Sequence, residues 1–188
     1  MGGGGKFHAR RLRGRAGSRL TAYVALLRAV NVGGTGKLPM ADLRAMGEEL
    51  GFARVRTFIA SGNLLFDSDA TEAQVKARLE TRLAAFAGKA VSIFIRTAAE
   101  VAAVRDANPF PDAHGSRLMV FFRDTALPLD ITEHVRDRAA ERLSVNGREL
   151  YVDYGAGIRD TRLKIPGNEH GTGRNMNSVV KMAGLLAD

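Results

Sequence analysis

Thr21-Ala22-Tyr23-Val24-Ala25-Leu26-Leu27-Arg28-Ala29 is followed by Val30-Asn31-Val32-Gly33-Gly34-Thr35-Gly36-Lys37 and then by Leu38-Pro39. The first stretch is almost wholly apolar, the pattern of a strand with neighbours on both sides and at least one fully covered face. Glycines then open the chain. Pro39 stands at the first position of a helix that carries Met40, Leu43, Met46 and Leu50 at helical spacing until Gly51 stops it. A strand that passes through a Gly-rich loop into a helix leaves backbone N–H groups unpaired, with the positive end of the helix dipole behind them. Arg28 and Lys37 make that loop an anion pocket in outline.

Outward from this stretch, Val55-Arg56-Thr57-Phe58-Ile59 alternates as a strand, Ser61-Gly62-Asn63 turns the chain, and Leu64-Leu65-Phe66 returns it. Thr71 with Gln74 forms a capping box ahead of Val75, Leu79, Leu83 and Phe86, and Val91, Ile93 and Ile95 make the next strand. The order βαββαβ predicts a ferredoxin-like unit over 21–96. In that topology the first two strands run parallel with the third between them, antiparallel. The loop after strand one and the turn between strands two and three then share one edge of the sheet. Arg28, Asn31, Gly33, Gly34 and Lys37 are expected beside Ser61 and Asn63.

The second half reads βαββα, a smaller α/β subdomain over 97–188, so the fold class is α+β. Thr97 with Glu100 caps a linking helix that ends before Asn108-Pro109-Phe110-Pro111. Leu118–Phe122 is a strand, and Asp130 and Glu133 cap a helix carrying Ile131 and Val135. Asn146-Gly147 predicts a type I′ hairpin with return strand Glu149–Asp153. The last helix turns Met176, Val179, Val180, Ala183 and Leu186 inward. It opens on Thr172-Gly173-Arg174-Asn175-Met176-Asn177-Ser178. N-capping needs one of these polar residues and does not explain the rest. Arg174, Asn175 and Asn177 are candidates to complete the pocket, or to tie the last helix to the first unit.

Composition narrows the classes. The chain has 188 residues, 45% of them hydrophobic, and no cysteine, which removes disulfides, thiolate metal sites and thiol nucleophiles and fits a reducing cytoplasm. At this length roughly 70% of the unfolded surface can be buried. No apolar run is long enough for a membrane span. The net charge of +8 is concentrated in Lys6, Arg10, Arg11, Arg13, Arg15 and Arg19, and residues 21–188 carry about +2. Residues 1–20, opened by Gly2-Gly3-Gly4-Gly5, read as a basic disordered extension. Such an arm offers weak, salt-sensitive nucleic-acid binding and little else.

Several chemistries fail their own tests. A P-loop ending at Gly36-Lys37 needs glycine at 31 and Ser or Thr at 38, where the chain has Asn31 and Leu38. Ser61 in a Ser-Gly-Asn turn is turn chemistry first, with no histidine placed as a triad partner. His8, His114, His134 and His170 show no metal-ligand spacing, and His134 reads as a solvated helix residue. Asp67, Asp69 and Glu72 fit a strand-to-helix loop by capping alone. Strand three, Asn63-Leu64-Leu65-Phe66, lacks the glycine and spaced aromatics of an RNA-recognition domain.

Three ordered motifs carry a resemblance. Tyr23 through Gly34 with Lys37-Leu38-Pro39-Met40 and Leu43-Arg44, then Phe58 through Phe66, then Gly173-Arg174-Asn175-Met176-Asn177-Ser178 resemble the bacterial domain-of-unknown-function 1697 family over 21–188. Met176 stands where that family usually has Trp, Ser178 where it has Thr, and Ala156–His170 matches chiefly at Arg162-Leu163-Lys164. The resemblance implies a compact α+β fold with ferredoxin-like character and no particular reaction. The expected function is binding of a small phosphorylated or carboxylated ligand at the strand-one edge, without a metal or cofactor, by a cytoplasmic monomer or homodimer. The alternatives are a non-enzymatic interaction module and weak nucleic-acid binding through the basic arm.

Overall fold

The apolar strand β1 (Thr21–Leu27) lies inside a four-stranded antiparallel sheet with β2 (Ala53–Thr57), β3 (Asn63–Ser68) and β4 (Ile93–Thr97), in the order β2-β3-β1-β4. This is the ferredoxin-like arrangement, with β3 antiparallel to both β1 and β2. A computed structural model describes residues 19–28, 38–59 and 62–188. The basic extension up to position 18, the loop residues Asn31, Gly33, Gly34 and Lys37, and Ser61 of the turn lie outside the described residues.

Both faces of β1 are covered, which is why nearly every position in it is apolar. Tyr23, Ala25 and Leu27 face a core shared with α1 (Met40–Glu49) and α2 (Glu72–Ala87), while Val24 and Leu26 face a second core. Helix α1 starts after Pro39 and ends ahead of Gly51, whose φ of 76° reverses the chain. Both expected capping boxes form, Thr71 with Gln74 on α2 and Thr97 with Glu100 on α3 (Ala98–Asp106).

A second antiparallel sheet runs β6-β7-β5-β8, built from β5 (Leu118–Phe122), β6 (Arg142–Asn146), β7 (Glu149–Asp153) and β8 (Thr172–Asn175). The last helix, α4 (Met176–Ala187), packs on α3. Val101 and Val104 of α3 and Met176, Val179 and Met182 of α4 join Leu118, Val120, Phe122 and Tyr151 against the first sheet. One apolar core thus links the two sheets. The buried Tyr151 hydroxyl donates to the Val104 carbonyl at 2.8 Å, and burial raises its pKa well above the ordinary tyrosine value.

Four details of the second half differ from the sequence expectation. The helix at Asp130 is a single five-residue 3₁₀ turn, Leu129–Glu133, with Ile131 as its buried residue. Beyond it Asp137 adopts a φ of 56°, and Arg136 exchanges both backbone hydrogen bonds with Lys164 at 3.0 and 2.9 Å. A backbone committed to that bridge cannot continue a helix, and the β-branched Ile131, Thr132 and Val135 favour one only weakly. The polar stretch at Thr172 is an edge strand, β8, paired with β5 from Met119↔Asn175 to Phe122↔Thr172. The hairpin turns on Gly147-Arg148, with Asn146 paired to Glu149 and positive φ at Gly147 but not at Arg148. That is the type II′ pattern, with glycine first, rather than type I′. On α4, Met182 is buried and Val180 is exposed.

Ion pairs bridge the two sheets at the hairpin. Buried Arg96 on β4 meets Glu149 at 2.7 Å, and Arg148 reaches both Glu72 at 2.7 Å and Glu100 at 2.6 Å. Burial works to raise the Glu100 pKa, but hydrogen bonds from Thr97 and the charge of Arg148 outweigh it, and the net shift is downward. A carboxylate lowered on folding stabilises fully above its unfolded pKa, and that contribution disappears as pH falls through the folded one. Replacing Arg148 with Met should therefore flatten the loss of stability between about pH 5 and about pH 3. Urea midpoints across that range check it, and an unchanged slope would remove this pair from the acid response.

Candidate functional site

The register of β1 fixes what lies at its exit. Leu26 stands opposite Asn63, the Leu27 N–H donates to the Gly62 carbonyl at 2.8 Å, and the Arg28 N–H donates to Ser92 at 2.9 Å. Half-buried Arg28 and the Gly62-Asn63 corner therefore occupy one end of the first sheet. Asn63 is wholly buried, and its Nδ2 donates back to the Phe58 carbonyl at 2.8 Å, closing the turn. Ile59 sits in that turn at a φ of 51°. For a β-branched residue this left-handed conformation costs about 1–3 kcal/mol, which the surrounding contacts must offset.

Arg174 enters the same end from β8. Its Nε donates to Asn63 Oδ1 at 2.6 Å, Nη1 to Thr172 Oγ1 and the Gly173 carbonyl at 2.8 Å, and Nη2 to the carbonyls of Leu27 at 3.0 Å and Gly62 at 3.2 Å. Every one of these acceptors is neutral. Burial pushes the guanidinium down to about 10, so it stays charged at neutral pH. The residue is a cationic clasp that fastens the edge strand of one sheet onto the exit of β1 in the other.

The other polar residues of that segment face elsewhere. Asn175 caps α4, its side-chain oxygen accepting from the Ser178 N–H at 2.9 Å. Asn177 donates its backbone N–H to Gly115, ahead of β5, at 3.3 Å. Arg28, Asn63 and Arg174 thus converge on one end of the first sheet, whereas Asn175 and Asn177 belong to the first turn of α4.

A further cation at this end was not apparent from the sequence. Arg123 follows β5 directly and is 6% exposed. Its Nη1 donates to the Gly167 carbonyl, while Nε and Nη2 are buried with no hydrogen-bond partner. Burial lowers its pKa, the charge of Glu169 works against that, and the charge of Arg28 lowers it further. Gly171 makes room for it, because a Cβ there would lie 2.9 Å from Arg123 Cδ and Nε. The available sequence signal was an arginine closing an otherwise apolar run, Leu118-Met119-Val120-Phe121-Phe122. Among the described residues no group of three or more His, Asp or Glu side chains is arranged to hold a metal ion.

Residues 20–151 match the family described as Protein of unknown function (DUF1697). The chain belongs to this family. Its fold is also that of a solved structure, the conserved bacterial protein SP0830 from Streptococcus pneumoniae, with a TM-score of 0.74 and 26% sequence identity. The likeness covers 89% of this chain and 99% of that one. No curated protein matches significantly. Among the described residues of this DUF1697 protein, no helix is long and apolar enough to cross a membrane.

Proposed function

We propose that this DUF1697 protein binds a small phosphorylated or carboxylated ligand at the end of the first sheet where β1 exits. The observation that supports it is the gathering of Arg28, Arg123 and Arg174 from three separate segments around that exit. The hydrogen-bond acceptors of Arg123 and Arg174 named above are neutral oxygens. A buried guanidinium with two nitrogens unpaired, as in Arg123, is costly, and an anion is a group that offsets it. The sequence supplies further donors in Asn31, Gly33, Gly34, Lys37 and Ser61, flanked by Asn63. Arg28 is the group on which ligand affinity depends most, because it is half-buried and engages through its backbone N–H without being locked into the fold.

Thermal unfolding with and without inorganic phosphate or acetyl phosphate tests this. A ligand at a hundred times its Kd that binds the folded state stabilises it by about 2.7 kcal/mol, a rise in Tm of about 5–10 °C for a chain of this size. Arg28→Ala should abolish that rise while leaving the ligand-free Tm within about 2 °C. Equal responses from wild type and variant would refute the site. A second reading, a non-catalytic module whose polar clusters hold the two halves together, is favoured by the neutral oxygens that engage Arg174. Under it, no anion moves the Tm of either protein.

A further inference from the structure

We propose that Arg136, Arg162 and Lys164 form a docking surface for the phosphate backbone of a nucleic-acid duplex, on the outer side of the second sheet and separate from the β1 exit. The surface is the outside of a covering layer. Val135 and Leu163 pack with buried Ile165 on Leu150 and Val152, the side of β7 opposite to Tyr151 and the core shared with the first sheet. The backbones of Arg136 and Lys164 hydrogen-bond to each other in both directions. Residues paired in this way stand directly opposite, with their side chains on one face of the ribbon. Exposure alternates to match. Leu163 and Ile165 are turned in, Arg162 and Lys164 are exposed, and Arg136 is exposed beside half-buried Val135.

Like charges set directly opposite are destabilising, so the fold itself gains nothing from a cation at both places. Lys164 is relieved by Asp137 at 2.6 Å. Arg136 and Arg162, with exposed Arg159, form no ion pair among the described residues. The stretches 134–140 and 155–165 together hold Arg136, Arg138, Arg159, Arg162 and Lys164 against Asp137 and Asp160. That surplus exceeds the net charge of about +2 over residues 21–188, so the rest of that span is slightly acidic. Of the flanking acids, Glu133 is exposed on the 3₁₀ turn, while Glu141 is turned in to the Ala139 N–H and the Thr161 hydroxyl. Four of the five cations are arginines, whose forked donors match phosphate oxygens. Opposed residues of a ribbon are about 5.5 Å apart and residues two along a strand about 6.6 Å, a charge spacing that suits a polymer of phosphates. Neither stretch contains Phe, Tyr or Trp on which unpaired bases could stack. A duplex keeps its bases inside and asks for none. Ile158 is their single exposed large apolar residue, which leaves little to enter a lipid surface. Contacts of this kind position a duplex without reading its sequence.

Fluorescence anisotropy of a labelled DNA duplex of about 20 base pairs, titrated with the full chain between about 50 and 200 mM salt, tests this. Arg10→Gln, Arg11→Gln, Arg13→Gln and Arg15→Gln first silence the basic arm, and duplex binding should persist. In that background Arg136→Gln with Arg162→Gln should weaken binding about tenfold at about 100 mM salt. It should also lower the slope of log K against log salt by about 1.8, the loss of two phosphate contacts. Both side chains are exposed and unpaired, so the Tm should stay within about 2 °C. Asp137→Asn removes the acid beside Lys164 and should tighten binding about threefold. Binding that vanishes with the arm substitutions alone, or that Arg136→Gln with Arg162→Gln leaves unchanged, would overturn the surface. A single strand bound more tightly than the duplex would overturn the choice of partner. So would retention on phosphatidylserine vesicles by a chain that leaves the duplex free.

Discussion

Arg174→Ala should lower the Tm by about 10 °C, a loss of about 3–4 kcal/mol. The change deletes a guanidinium that donates to Asn63, Thr172 and the carbonyls of Leu27, Gly62 and Gly173. Each buried acceptor left without a donor costs about 1–3 kcal/mol, partly recovered as the site relaxes. Arg174→Lys separates charge from geometry, because an ammonium keeps the charge but cannot span acceptors on three strands and a turn. It should recover less than half of the loss. Differential scanning calorimetry of the three proteins measures this directly. A Tm unchanged in Arg174→Ala would mean that β8 is held chiefly by its ladder to β5 and that the Arg174 hydrogen bonds add little to the fold.

Arg174 also shows where reading the sequence succeeds and where it stops. Periodicity and capping placed β1, α1, α2, β4 and α3, because each announces itself within a few residues: an unbroken apolar run, a helical stripe, a Thr with Gln or Glu three positions on. The ferredoxin-like order then carries Arg28 to the Gly62-Asn63 corner. The polar segment at Thr172 was recognised as unusual, yet its conformation was not apparent. Thr172-Gly173-Arg174-Asn175 is extended because β5 has an open edge there, a fact about residues some fifty positions away. The same non-local logic removed the helix at Asp130, whose continuation is pre-empted by the Arg136–Lys164 bridge. Nothing in the sequence around Arg123 marks it as buried, because the segment that covers it, Gly167 to Gly171, arrives from far along the chain.

The ion pair under Arg123 should respond in the opposite manner to single and double replacement. Arg96 is 1% exposed and Glu149 12%, and Arg96 also stacks its guanidinium 5.5 Å from the Phe122 ring centre. Arg96→Met alone strands the Glu149 carboxylate in a largely dry setting and should cost about 3–5 kcal/mol. Adding Glu149→Leu removes the stranded charge and returns apolar contact, so the double variant should be the more stable of the two by about 1–2 kcal/mol. Full recovery is not expected, because Arg96 also holds the carbonyls of Ile95 and Arg123. Those carbonyls stay unsatisfied in both variants. Guanidinium unfolding of wild type, both singles and the double closes the cycle. A double variant no more stable than Arg96→Met would place the cost in the two carbonyls. Arg96 would then act chiefly as a backbone brace that fixes Arg123 at the end of β5, and the carboxylate would be incidental to the fold.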